Sequence, residues 1–510
     1  MNEYMKDVVS NGHVTLGRNK MRIEETFEEY LEDPLEIVLN NFGAMLSSHN
    51  ANVKAYVEIE KYYRGQHKIL GKTRPNEDDS INNKITANQI ARIVDFKKSM
   101  MVGTPIEYAL TIVTEDTDDM TYFHKYLVDS GKSSYDIQKY EDIFKYGVAL
   151  QMVYPRKEKN FDVESQSPFE VLHVSPDKGF CFYTSDISEK KIGCVLLGSK
   201  IINNKRQTVY HIYLDKNHSE FNYMVIYQNS SSATAINGYE ILDTKKIYAD
   251  IPLVEFYLNQ SRMGIVEQLI PLQDMINQLL SGQLDDIEQA INHYIVLYNQ
   301  ELDAEDKESF LEFRKQKLLS VNTINPDTPA DIKILSQSLD NQAITSVYDS
   351  MVKTMEDLVG APSPSGNNSS GGDTGDARAL GNGWENAQLK AETDATYISK
   401  YEREMLNLML NIAYDTANSP MGEIKSTDID IKFSINIRHN IISKAQALQL
   451  LHGMNFPLKD ALTAVSLVHD VDGVATKWQE RIDNENEKEK ETKTTTEDIN
   501  VVETKTTTEE

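Results

Sequence analysis

Residues 341–416 constrain the chain more than any other stretch, because they read as helix, polar loop and long helix in succession. Ile344, Val347, Met351, Met355 and Leu358 recur at helical spacing and predict a helix over about 344–359. Gly360 stops it, and Pro362 and Pro364 prevent its return. The run SPSGNNSSGGDTGD that follows has no apolar residue, so it is a loop that stays in water. A second helix is expected from Trp384, with Ala387, Ala391, Ala395, Ile398, Tyr401, Met405, Leu408 and Ile412 along one stripe. A polar loop between two long helices is costly to order and gives nothing to a core. It is expected to touch something that moves.

The chain has 510 residues, with 52 basic and 79 acidic side chains and a net charge of −27. That balance argues against tight grip on nucleic acid through phosphate neutralisation, though not against a duplex sliding past. Two cysteines, Cys181 and Cys194, are too few for a disulfide framework or a four-ligand zinc site, which suits a reducing compartment. Neither end carries an apolar run of signal-peptide or spanning length, so a soluble chain with no membrane partner is expected.

In order, residues 1–25 are polar and unpatterned and read as a flexible arm. Helices are expected over about 34–47, 51–64, 86–102, 119–130 and 134–146, with a strand at 106–113. From about 148 to 258 the apolar period becomes two, in seven runs such as VALQMVYP and FNYMVIYQ, which predicts an antiparallel unit and an α+β class. Helix returns at 262–293, where Pro271 is expected to kink it or mark its true start. Residues 294–338 are a small mixed unit that carries a compact basic group, Arg314, Lys315 and Lys317. A strand at 428–437 and helices at about 441–452 and 457–469 follow the long helix. Residues 483–510 hold ten acids against four lysines and a near-repeat (ETKTTTED, ETKTTTEE), which reads as a disordered acidic tail.

Chemistry is sparse. No GxxxxGK[ST], HExxH or GxSxG occurs, and no Cys/His group has metal-ligand spacing. Asp285, Asp286 and Glu288 could hold a divalent ion for phosphodiester cleavage, but a solvated helix face accounts for them more simply. No cofactor and no catalytic centre are expected.

Short motifs stand in order along the chain, at Tyr62 to Leu70, Asn82 to Ile85, Gly103 to Tyr108, Pro252 to Phe256, and Thr374 to Leu380 with Gly383 to Glu385, and together they resemble the portal proteins of tailed bacteriophages, in the SPP1-like branch. Tyr62-Tyr63-Arg64-Gly65 through Leu70 is similar to an early YYxG…IL element. Asn82-Asn83-Lys84-Ile85, Asn88, Ile93-Val94-Asp95 and Gly103 to Tyr108 resemble the NNKI…N…IVD…GxPIxY run. Pro252 to Phe256 resembles the entry to a stem, and Thr374 to Leu380 with Gly383-Trp384-Glu385 the opening of a tunnel helix. The acidic SDxE start usual after PLVEFYLN is missing, and Pro271 interrupts the expected stem helix.

The resemblance implies a ring, usually a dodecamer, at one capsid vertex of a virion assembled in the host cytoplasm. The ring would carry double-stranded DNA during packaging and ejection and join head to tail. It implies a wing over 26–260, stem helices over 262–293 and 341–359, and a clip over 294–338. It further implies a tunnel loop over 361–382, a long tunnel helix over 384–416 and a helical crown over 440–480. Asn367, Asn368, Ser369, Ser370 and Lys390 would face the DNA, and Arg314, Lys315 and Lys317 would meet the terminase large subunit or the head-completion adaptor. Major capsid and scaffolding proteins are further implied partners. The competing expectations are a monomeric acidic interaction scaffold and the metal-dependent phosphodiesterase.

Overall fold

The computed structural model describes residues 17–73, 81–110, 118–158, 160–215, 221–229, 235–247, 250–291, 294–298, 300–301, 322–323, 331–335, 341–362, 383–422, 424–433, 435, 441–454, 456–465, 474, 478 and 481. It is mixed α and β and divides into two compact units. The first is Met1–Ser363 with Asn386–Asn436, and the second is Pro364–Glu385 with Ile437–Glu510.

The first unit opens with strand β1 (Met21–Arg22), a short helix α1 (Phe27–Glu32) and a 30-residue helix α2 (Pro34–Tyr63). Asp33 caps α2 by accepting from the Glu36 N–H at 3.1 Å, and Pro34 sits where no N–H is needed. The period-two region forms a six-stranded sheet in the order β1-β5-β6-β7-β8-β9. Its strands are β5 (Gly179–Tyr183), β6 (Lys191–Ile202), β7 (Lys205–Leu214), β8 (Tyr223–Gln228) and β9 (Tyr239–Lys245). All its pairs are antiparallel except β1 with β5. A three-stranded sheet, β10 (Leu253–Phe256), β3 (Ala149–Pro155) and β4 (Phe169–Val174), lies beside it.

Alternation along β5 assigns each side chain to one face. Phe180 and Phe182 pack with Val38, Leu39, Phe42 and Met45 of α2, while Cys181 and Tyr183 pack with Leu150, Met152 and Leu253 of the smaller sheet. The large sheet is therefore covered by a helix on one side and by a second sheet on the other.

Two expectations are corrected here. The arm expected over 1–25 does not reach its predicted end, because residues 17–25 are built into the core. Arg18 and Glu267 form a buried ion pair at 2.5 Å, and the Gly17 N–H donates to Glu267 at 2.8 Å. Asn52 takes both the N–H and the carbonyl of Asn19, and Asn41 accepts from the Glu24 N–H. The same contacts explain the second correction, that 34–47 and 51–64 are one helix. The intervening SSHNAN has weak helix propensity, but His49 and Asn52 are buried there and bonded to distant backbone, so tertiary contacts override it.

Three more helices follow: α3 (Gln89–Val102), α4 (Asp118–Asp129) and α5 (Lys132–Tyr146). Strand β2 (Glu107–Leu110), between α3 and α4, pairs with β15 (Ile429–Lys432). Helix α6 (Val266–Ile291) begins before Pro271, which lies inside it and does not mark its start. The chain reaches α6 by crossing the end of α5. Gly147 has φ +79, and a Cβ there would stand 2.3 Å from the Arg262 carbonyl oxygen, so only glycine permits the crossing.

The buried face of α6 is unexpectedly polar. Gln273, Asn277, Ser281 and Asp285, spaced by four, are all inaccessible to solvent. They accept the N–H groups of Gln89, Ala87, Ile85 and Asn83 at 2.9, 3.1, 2.9 and 2.8 Å. Four residues of helix rise about 6.0 Å and two residues of open chain about 6.6 Å, so the two spacings match rung by rung. This ladder fixes the segment that leads into α3.

Residues 294–335 contribute β11 (Tyr294–Tyr298) paired with β14 (Asp331–Leu335), and β12 (Gln300–Glu301) paired with β13 (Asn322–Thr323). Helices α7 (Asn341–Val359) and α8 (Trp384–Asp415) flank residues 363–382. In the second unit α9 (Ile441–Gly453) and α10 (Leu458–Val465) pack as a hairpin around Ala461 and Leu462.

Candidate functional site

The feature with most functional content is the base from which residues 363–382 depart. Helix α7 ends in a left-handed glycine cap. Gly360 has φ +65, its N–H reaches the Asp357 carbonyl at 3.3 Å, and the Ala361 N–H reaches Glu356 at 2.9 Å. A Cβ at Gly360 would meet the Lys390 stem at 3.3–3.6 Å, so Lys390 of α8 lies against the end of α7. Lys390 as a whole residue is exposed.

Helix α3 holds both flanking helices. Arg92 pairs with Glu356 of α7 at 2.7 Å, and Gln89 donates to the Tyr348 hydroxyl at 2.9 Å. One turn or so further on, buried Lys97 pairs with Asp394 of α8 at 3.4 Å. Burial pushes the Lys97 ammonium down while Asp394 opposes it, and burial pushes the Asp394 carboxyl up while Lys97 opposes it. The α6 ladder fixes α3, and α3 ties together the two helices that flank residues 363–382 in sequence.

Farther along α8, four consecutive residues grip β10, α5, β2, β15 and β6. Tyr401 packs on Tyr257 and Phe256, with ring centroids 4.9 and 6.0 Å away. Glu402 takes Lys139 and, at 3.3 Å, Lys132 of α5, and the Tyr108 hydroxyl of β2 donates to it at 3.2 Å. Arg403 donates to the Ile429 carbonyl at 3.2 Å and to that of Ser426. Glu404 pairs with Lys191 of β6. Consecutive helical residues point about 100° apart, so this collar encircles the helix.

The centre of the collar is a sealed charge cluster. Asp136 bonds Lys132 at 2.7 Å and Lys139 at 2.8 Å, and all four charged side chains are buried. Two lysines balance two carboxylates, so the cluster is neutral. Burial penalises the Asp136 carboxylate, but Lys132 and Lys139 outweigh that and hold it at about 2. Burial likewise opposes charge on Lys132, and Asp136 and Glu402 raise it well above its ordinary value. Such a cluster adds little net stability over apolar packing but tolerates few alternative arrangements.

Sequence patterns missed the collar, although a signal existed. Lys97, Asp394 and Glu402 all fall on apolar helical stripes, at Val94/Met101, Ala391/Ile398 and Ile398/Met405. A charge at such a position demands a partner.

The expected site residues fare unequally. Lys390 is located as described. Asn367, Asn368, Ser369 and Ser370, and Arg314, Lys315 and Lys317, lie outside the described residues. The favoured reading of Asp285, Asp286 and Glu288 as a solvated helix face is corrected at Asp285, which is fully buried, and the contacts of Asp285 and Glu288 do not support the alternative metal reading either. Asp285 accepts from the Asn83 N–H at 2.8 Å, from its side-chain amide at 3.0 Å and from Lys72 at 3.2 Å, and Glu288 accepts from the same amide at 2.9 Å. Asp286 is exposed, and among the described residues no group of three His, Cys, Asp or Glu side chains could hold a metal ion. Burial disfavours the Asp285 charge, yet the Asn83 N–H and Lys72 keep its carboxyl below the ordinary value. No helix among the described residues is long and apolar enough to cross a membrane.

Comparison with known families identifies the family of the chain. The family described as phage portal protein, SPP1 Gp6-like, matches residues 44–488, and the chain belongs to that family. A search of curated proteins finds no match. The protein thus has a phage portal role, at the capsid vertex and in DNA packaging, in a family that is structural rather than enzymatic.

Proposed function

We propose that copies of this chain close into a dodecameric ring whose channel carries double-stranded DNA in packaging and ejection, and which joins head to tail. In this reading residues 26–260 are the wing, 262–293 and 341–359 the stem, 294–338 the clip and 440–480 the crown. Residues 361–382 are the tunnel loop, 384–416 the long tunnel helix and 483–510 an acidic tail. The observation that carries the reading is the fixed base of residues 363–382, with both flanking helices tied to α3 and the second held in a charged collar. A segment working on a moving duplex needs such a base, since force on it must reach the body without unseating the helices.

Helical faces left open support the ring. The apolar stripe of α7 is half used: Met355 is buried, but Val347 and Leu358 are exposed. Leu389 and Tyr397 are exposed on α8. A head-to-tail cyclic assembly would cover such faces with a neighbouring copy. A net charge of −27 on every subunit keeps the channel wall from trapping phosphates. Asn367, Asn368, Ser369 and Ser370 would offer short polar tips to the duplex, with Lys390 a single weak cation at their base. Arg314, Lys315 and Lys317 on the clip would steer the terminase large subunit and the head-completion adaptor, while the wing and crown meet capsid and scaffolding proteins. Sedimentation and electron microscopy of the purified chain test the assembly. A closed ring is expected, and a stable monomer across salt and protein concentration would refute it.

A further inference from the structure

We propose that Cys181 and Cys194 are a latent cross-strand disulfide, a two-electron modification site that staples β5 to β6 when the chain meets an oxidant of the small-molecule disulfide class. The two residues are direct partners in the antiparallel register of β5 and β6. Their place in the hydrogen-bond alternation follows from flanking bonds. The Leu197 N–H bonds the Lys178 carbonyl at 2.8 Å, so positions 178, 180 and 182 face β6 as bonded pairs and 181 does not. Independently, the Asp215 N–H bonds the Ile192 carbonyl at 3.2 Å, which turns the backbone of Cys194 toward β7 and away from β5. Cys181 and Cys194 therefore form a non-hydrogen-bonded pair, the class in which opposed Cα atoms stand about 4.5 Å apart and side chains are closest. That separation lies within the roughly 4.4–6.8 Å that disulfides span. Both side chains point to the same apolar face, among Leu150, Met152 and Leu253, and the Cys181 Sγ lies 3.7 Å from the Leu253 carbonyl.

The chemistry balances with oxidised glutathione as oxidant. One cysteine thiolate attacks a glutathione sulfur and releases one glutathione. The second cysteine attacks the resulting mixed disulfide and releases the other. Two cysteine thiols lose two electrons and two protons, and the glutathione disulfide gains them to become two glutathione thiols. In the folded chain both thiols are fully buried and free. Burial pushes both thiols up, Cys194 to about 12, so neither is a ready nucleophile. Oxidation must then wait for β5 and β6 to part, or occur while the chain folds.

The test uses the full-length chain and oxidised glutathione, followed by alkylation, non-reducing digestion and mass spectrometry. One sample is held native over a range of temperatures, and another is unfolded and refolded in the same oxidant. A linked Cys181–Cys194 peptide is expected, lighter by about 2 Da than its reduced parts and reversed by dithiothreitol. It should form fast on refolding and slowly in the native chain, accelerating with temperature. The oxidised chain should unfold at a higher denaturant midpoint than the same sample with reductant, and C194A should lose that difference. Recovery of free thiols, single glutathione adducts or inter-chain links after refolding overturns the pairing. A linkage that leaves the midpoint unchanged or lower overturns the stapling role.

Discussion

Replacing Glu402 with Gln removes one charge from the collar and almost no volume. The cluster then goes from neutral, with Lys132 and Lys139 against Asp136 and Glu402, to a net +1 sealed from water. An amide in place of the carboxylate keeps one acceptor oxygen but turns its NH2 donor toward one of the two ammonium groups, which are themselves only donors. Breaking a buried charge pair costs about 3–5 kcal/mol, because the stranded partner remains desolvated. With an unfolding entropy of about 2.1 cal/mol/K per residue, a unit of this size shifts by about 1 °C per kcal/mol, so the thermal midpoint of the first unit should fall by roughly 3–6 °C. Calorimetry reads that fall, and hydrogen exchange locates it: amides of α5 and the 398–408 part of α8 should exchange faster. A control distinguishes lost charge from lost packing. Substituting all four charged residues with apolar ones of similar volume should recover much of the stability. If Glu402→Gln melts within about 1 °C of the parent with unchanged exchange in α5, the collar does not hold α8 and the reasoning fails.

Asp285→Ala should orphan the Asn83 N–H at about 1–3 kcal/mol and speed amide exchange over residues 83–89, and in the unaltered chain added divalent metal should leave that exchange unchanged. A metal-dependent change in exchange would restore the ion-site reading. Acid should weaken the first unit: the Asp136 carboxyl is depressed from 3.8 to about 2, so its contribution is complete above about pH 4 and is lost as pH falls through about 2. Denaturant midpoints between pH 5 and pH 2 read this slope, which Asp136→Asn should flatten. In the proposed tunnel loop, changing Asn367, Asn368, Ser369 and Ser370 together to Lys should leave assembly intact and reduce packaged DNA per particle, most at low salt. Equal packaging at every ionic strength would mean that the loop does not face the duplex.

Elements were legible wherever one face is apolar. The strands of 148–258, helices α3 to α7 and the glycine stop at 360 follow from periodicity and caps alone, since burial of a repeated face is a local demand. The loop-flanking helices were readable for the same reason. The collar and the ties to α3 were not, because Lys97, Asp394 and Glu402 reveal only that a partner is needed. Which partner depends on segments roughly 260 to 300 positions away in the chain.

The sequence alone determined the α+β class, the acidic balance and the family, through short motifs in a fixed order. Only the tertiary structure decided the fate of the chain's unpatterned parts. Residues 17–25 and 83–89 have no period to read, yet both are fixed, the first by Arg18, Asn41 and Asn52 and the second by four rungs of α6. The physical reason is that hydrophobic burial leaves a repeat in the buried segment itself. A backbone held by polar side chains leaves its record on the partner helix, and there it reads as Gln, Asn, Ser and Asp at every fourth position.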